Sequence, residues 1–191
     1  MSGVQMNILC IDAAWSGSTG WVRQVDDGVE MGIDYGTLKA DEAKHWLKRF
    51  DLFNYDGTFP KYLVIEDTYM QYYPVKKQPA DYSKPKQLPA VQSYGLLCRA
   101  KQLWISDAID HFNILPENII EVSPQTWQKG LQRNWKFGAG SKKNMPEIEN
   151  YIRLRWKLGN VKLTEHEISA FGLLSYFIDH IQNTSYGGRA D

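Results

Sequence analysis

Cysteine is scarce in this chain: Cys10 and Cys98 are the two thiols among 191 residues. Two thiols build neither a disulfide scaffold nor a four-ligand zinc cage. Long apolar runs are lacking too. A membrane span needs about 20 such residues in a row, and no stretch approaches that. Residues 1–6 hold no basic cluster leading into an apolar segment, so no secretory signal is expected. Together these absences predict a reduced, cytoplasmic setting and no membrane partner. Net charge is also missing, with 22 Lys and Arg against 22 Asp and Glu. What is present is an ordinary globular balance of 43% hydrophobic and 23% charged residues, which sets aside disorder, collagen and coiled coil. The length predicts one domain over residues 1–191, able to bury roughly 70% of the unfolded surface.

The zero total hides segregation. Residues 1–74 carry 6 basic and 11 acidic side chains, residues 75–163 carry 15 and 7, and residues 164–191 carry 1 and 4. A basic middle between acidic ends would set a positive surface beside a carboxylate site, as cutting a nucleic-acid backbone requires. The alternative is solvated charge segregated by chance.

Apolar runs at residues 7–13 and 61–67 read as buried strands, each ending in acid. Residues 19–25 and 30–38 read as two further strands around an Asp26-Asp27-Gly28 turn. Residues 41–50 predict a helix with Ala43, Trp46, Leu47 and Phe50 on one face. Four prolines and four lysines make residues 71–89 a loop, followed by a long helix over 88–112. A short strand at 118–122 leads to Ser123-Pro124, a helix start. Residues 130–144 read as a Gly- and Lys-containing loop, Pro146 as the opening of a helix to 156, and 164–181 as the last helix. Three consecutive strands predict an antiparallel meander, and strands alternating with helices predict parallel pairing. The expectation is an α/β protein: a mixed five-stranded sheet with helices on both faces.

Asp12 and Glu66 each end a strand, and ligands of α/β sheets gather at strand carboxyl ends. Two carboxylates in one crevice repel unless a cation joins them. Mg2+ suits such oxygen ligands. At the last helix, Thr164 and Glu167 fit a capping box, which gives Glu167 a structural task. At about 100° per residue, Glu165, His166 and Ser169 share one side and offer a carboxylate and an imidazole to the site. The alternative for each acid is a turn starter, and for His166 a surface residue.

These residues, taken in order, resemble the RuvC group of Holliday-junction resolvases in the RNase H-like nuclease superfamily, over about residues 7–182. Ile11-Asp12 followed by Ser18-Thr19-Gly20-Trp21 is similar to the first-strand signature, with about one extra residue between the acid and Thr-Gly. Val64-Ile65-Glu66 with Tyr69 three residues on matches the second strand motif. Residues 92–100 resemble the central helix. Glu121-Val122, Trp127 and Gly138-Ala139-Gly140-Ser141-Lys142-Lys143 resemble the later strand, helix and Gly-Ser-Lys loop. His166-Glu167-x-Ser169-Ala170 is similar to the final motif, but Ser169 stands where the family has an acid.

The resemblance implies an RNase H-like fold and Mg2+-assisted phosphodiester hydrolysis in four-way DNA junctions, with Mn2+ able to substitute. Asp12 would bridge two ions about 3.5–4 Å apart, Glu66 would hold one, and His166 with Glu165 or Ser169 the other. Lys142 or Lys143 would meet the charge building on the phosphate, unless they are a solvated pair. Tyr69 would act as a wedge among Lys76, Lys77, Lys84 and Lys86, and Lys136 would add a DNA contact. A homodimer would match the two symmetric cuts of a junction, in the cytoplasm of a bacterial or phage-infected cell. Three alternatives remain: a branched-DNA-binding relative with impaired catalysis, a nuclease acting on flaps or RNA–DNA hybrids, and an actin-like kinase. The last would need a second domain and a second phosphate loop.

Overall fold

The computed structural model describes residues 7–15, 17–26, 31–54, 57–67, 89–132 and 141–182. Strands form where apolar residues run without interruption. β1 (Ile8–Asp12) and β4 (Tyr62–Glu66) have fully buried centres, as parallel strands covered on both faces must. β2 (Thr19–Asp26) and β3 (Met31–Leu38) run antiparallel at one side, and β5 (Ile119–Val122) closes the other. The order is β3-β2-β1-β4-β5, with β1 antiparallel to β2 and parallel to β4, and β4 parallel to β5. This is the expected mixed five-stranded, RNase H-like sheet.

Alternation along the strands sorts the core into two layers. Ile8, Cys10 and Val64 face one way and pack with Trp127, Ile152, Phe171 and Leu174. These come from α4 (Pro124–Gln132), α5 (Ser141–Trp156) and α6 (Glu165–Tyr176). Leu9, Ile11, Leu63 and Ile65 face the other way, onto Phe53, Trp104 and Ala108. Those belong to α2 (Trp46–Phe53) and α3 (Pro89–Asp110), with α1 (Ala40–Lys44) beside them. The chain after α6 continues as π-helical turns over Phe177–Gln182. Among the described residues no helix is long and apolar enough to cross a membrane.

Two helix expectations need correction. The single helix over 41–50 is two helices, broken at His45, whose backbone is extended. The cause is Arg49. Its guanidinium is buried, donating to Asp107 at 2.6 Å and to the Ala43 carbonyl at 2.9 Å. A buried carbonyl freed by a helix end needs a donor, and Arg49 supplies it. The apolar face shifts accordingly: Leu52 and Phe53 are buried, while Trp46 and Leu47 are exposed. Second, Pro146 does not open α5 but lies inside it, so Ser141 to Asn144, expected in a loop, are helical. Pro146 lacks the N–H that would bond residue 142 one turn earlier, a loss confined to the start of the helix. The Asp26-Asp27-Gly28 turn and the loop over 71–89 fall largely outside the described residues.

Candidate active site at the strand ends

The register sets the site. Ile11 pairs with Ile65, so the next residues, Asp12 and Glu66, leave the sheet side by side. Both lie on the α4–α6 face, in line with Cys10 and Val64. Asp12 also pairs with Gly20 of β2. Gly20 explains how α6 reaches the same place. A Cβ there would stand 2.2 Å from the His166 carbonyl carbon, so only glycine lets the start of α6 rest on the sheet. Thr164 and Glu167 fix that start. The Glu167 N–H donates to Thr164 Oγ1 at 3.2 Å, and the Thr164 N–H donates to Glu167 Oε2 at 2.7 Å. The Thr37 hydroxyl reaches Glu167 Oε1 at 3.2 Å, tying the cap to β3. Glu167 therefore has the structural task its spacing predicted.

With α6 so placed, His166 Nδ1 lies 2.8 Å from Asp12 Oδ2. An ionised carboxylate only accepts, so Nδ1 carries the proton. This hydrogen bond is the main reason the His166 pKa is raised. Burial opposes it, and the charges of Asp12, Glu66 and Glu165 add to it. Glu66 is half-buried, and the Trp127 indole N–H donates to its Oε2 at 2.9 Å. Burial, followed by the charge of Asp12, pushes the Glu66 carboxyl up to about 8, against the opposing pull of Trp127 and His166. The pair thus resists double ionisation, the electrostatic state that a cation relieves.

Of the other expected site residues, Glu165 is exposed on the first turn of α6, close enough to act on His166, and Ser169 follows one turn later, half-buried. Lys142 and Lys143 lie in the first turn of α5, and their side chains are outside the described residues. Tyr69, Lys76, Lys77, Lys84, Lys86 and Lys136 also fall outside them. Among the described residues, no three His, Cys, Asp or Glu side chains converge as a ready-made metal cage. The donor chemistry still fits a hard cation: two adjacent carboxylates, with the proton affinity of Glu66 raised by burial and then by the charge of Asp12.

The bond from Trp127 to Glu66 has no local sequence pattern. A signal was there in Gly172, a glycine inside an apolar helix, where it costs stability and so points to a close neighbour. A Cβ at Gly172 would stand 2.5 Å from the Trp127 ring. Also missed was Lys101 of α3, which pairs with Asp67 at 2.6 Å and with Glu121 on the opposite face of the same strand ends.

No family model and no curated protein sequence matches this chain. Among solved structures, it is similar to the fowlpox virus Holliday junction resolvase at 13% identity, over 91% of this chain and 98% of that one, with a TM-score of 0.48.

Proposed function

We propose that this protein is a metal-dependent endonuclease that hydrolyses phosphodiesters in branched DNA, with the four-way junction as substrate. One observation carries the reading: Asp12 and Glu66 emerge from adjacent parallel strands with His166 bonded to Asp12, and Glu66 is pushed up to about 8. Such a pair is poised to exchange a proton for a cation. Asp12 and Glu66 would hold Mg2+ or Mn2+, with Glu165, His166 and Ser169 the donors nearest to a second ion. When bound, the cation supplies positive charge for the phosphate and lowers the proton affinity of the attacking water.

The chain's own groups do the rest. Asp12 holds the His166 ring by Nδ1, so Nε2 is the nitrogen that would orient the water. Trp127 fixes the Glu66 carboxyl. The water oxygen bonds to phosphorus and gives up a proton to solvent, and the 3′ oxygen leaves as the P–O bond breaks and takes up a proton. Lys142, Lys143 and the basic stretches around Tyr69 and Lys136 are the candidates for neutralising and gripping the strand. A homodimer would pair two such sites across the junction.

The test is cleavage of a labelled four-way junction beside linear duplex in Mg2+ or Mn2+. Paired symmetric nicks, lost in Asp12→Asn, are expected. Ser169, in place of an acid, favours a second reading: a branched-DNA-binding protein with impaired catalysis. Tight junction binding without nicks in either metal would select it.

A further inference from the structure

Against α3 lies a cleft of about 260 Å³ lined by Trp15, Arg99, Gln102, Leu103 and Ser106. Trp15 is three residues past Asp12, in the loop joining β1 to β2. Thr19 ties that loop down: its Oγ1 accepts from the Ala14 N–H at 3.2 Å and donates to the Ala14 carbonyl at 3.4 Å. The loop runs from the His166 side of the site, where an atom added at Gly17 would stand 3.9 Å from Nε2, to the α3 side. There Ala43, Ala100 and Trp104 close around Trp15 too tightly to admit water, and the Lys44 ammonium sits 4.3 Å from the ring centroid. The indole is held from one side and borders an open cleft on the other.

The lining has a definite chemistry. Its surface is almost wholly apolar, with Trp15 as an aromatic wall and Leu103 as the floor, while Arg99, Gln102 and Ser106 complete the lining and add little polar surface. Its volume falls below the roughly 300–1,000 Å³ of sites for drug-sized ligands, so it suits a single ring system. One cation, Arg99, borders it and complements a phosphate backbone.

We propose that this cleft seats one unpaired nucleobase of the DNA strand that crosses the Asp12–Glu66 site. The inference rests on the endonuclease reading above and adds a specificity pocket to it. Trp15 is the stacking wall, Gln102 and Ser106 meet the base edge, and Arg99 meets the adjoining phosphate. Three residues span at most about 11 Å, so the seated base lies within about three nucleotide steps of the cut, at 3.4 Å per step.

The test uses the full-length chain in chelator, with four-way junctions carrying 2-aminopurine at single positions around the crossover. Anisotropy of an end label reports binding, and 2-aminopurine fluorescence reports the seat. Quenching at one position is expected, lost in Trp15→Leu with about tenfold weaker binding, and kept in Trp15→Phe. If Trp15→Leu does not fold, Gln102→Leu and Arg99→Glu, at exposed positions of α3, carry the test: the first changes the base preferred at the seated position, the second weakens binding. Junction binding with no quenching that depends on these residues overturns the pocket. A drop from dimer to monomer mass in Trp15→Leu, with quenching unchanged, also overturns it and assigns the cleft to a second copy of the chain. Failure to bind the junction at all overturns the endonuclease reading and the pocket with it.

Discussion

Glu66 and Asp67 are neighbours on one strand end, yet their surroundings differ in kind. Asp67 turns to the α3 face, where it shares the Lys101 ammonium with Glu121. Burial works against the Lys101 charge, but those two carboxylates hold its pKa above the ordinary lysine range. Glu66 turns to the α6 face, beside Asp12, where the described groups facing it are an indole N–H and an imidazole. On one face a covalently attached cation bridges the two acids. The other is left with a proton that a mobile cation can replace. Acids closed by lysine hold elements together, whereas acids left half-neutralised at strand ends are equipped for a reaction.

The sharpest way to break this contrast is Asp12→Asn. It removes one carboxylate charge and leaves His166 only a neutral amide to orient it, and cleavage should fall by about 10³-fold or more. Gly20→Val comes next. The added side chain collides with the His166 backbone, so α6 must lift. About 2–3 kcal/mol of stability should be lost by denaturant unfolding, with cleavage falling alongside.

The pH dependence follows from the sign of the Glu66 shift. Its folded pKa, about 8, lies above the ordinary 4.5, so between those values the folded chain holds a proton that the unfolded chain has released. Metal-free stability should therefore fall as pH rises from about 4.5 to 8, by on the order of 2–4 kcal/mol. His166 acts in the same direction, since its raised pKa contributes stability below 6.5 that is lost as pH climbs through the folded value. Glu66→Gln should flatten the larger part of that slope in thermal melts. Trp127→Phe sharpens the contrast by removing the N–H that favours ionised Glu66. It should cost about 1–2 kcal/mol and raise the pH at which Glu66 gives up its proton. The smallest effect belongs to the other face. Lys101→Met should cost about 1 kcal/mol, because its partners are well exposed and screened, and cleavage should not change.

The sheet was legible because β1 and β4 are continuous apolar runs, and because an acid ends each. Their parallel register then placed Asp12 beside Glu66 with no further information. The capping box at Thr164 was legible for the same reason: its pattern is local. Long-range partners were not. Arg49 reads as a solvent-facing residue until Asp107 arrives from α3 to bury it, and that pairing breaks the expected helix at His45. Trp127 looks like any core indole until Glu66 meets its N–H. Gly20 looks like a turn residue, while its cause is the backbone of α6, 146 positions later.

The most direct measurement is calorimetric titration of the full-length chain with Mg2+ near pH 7, in buffers of different ionisation enthalpy, beside Glu66→Gln. Saturable binding that releases close to one proton, weakened in the variant along with the proton release, is the predicted result. Absence of binding, or binding of equal strength and equal proton count in both proteins, would contradict a cation site at Asp12 and Glu66.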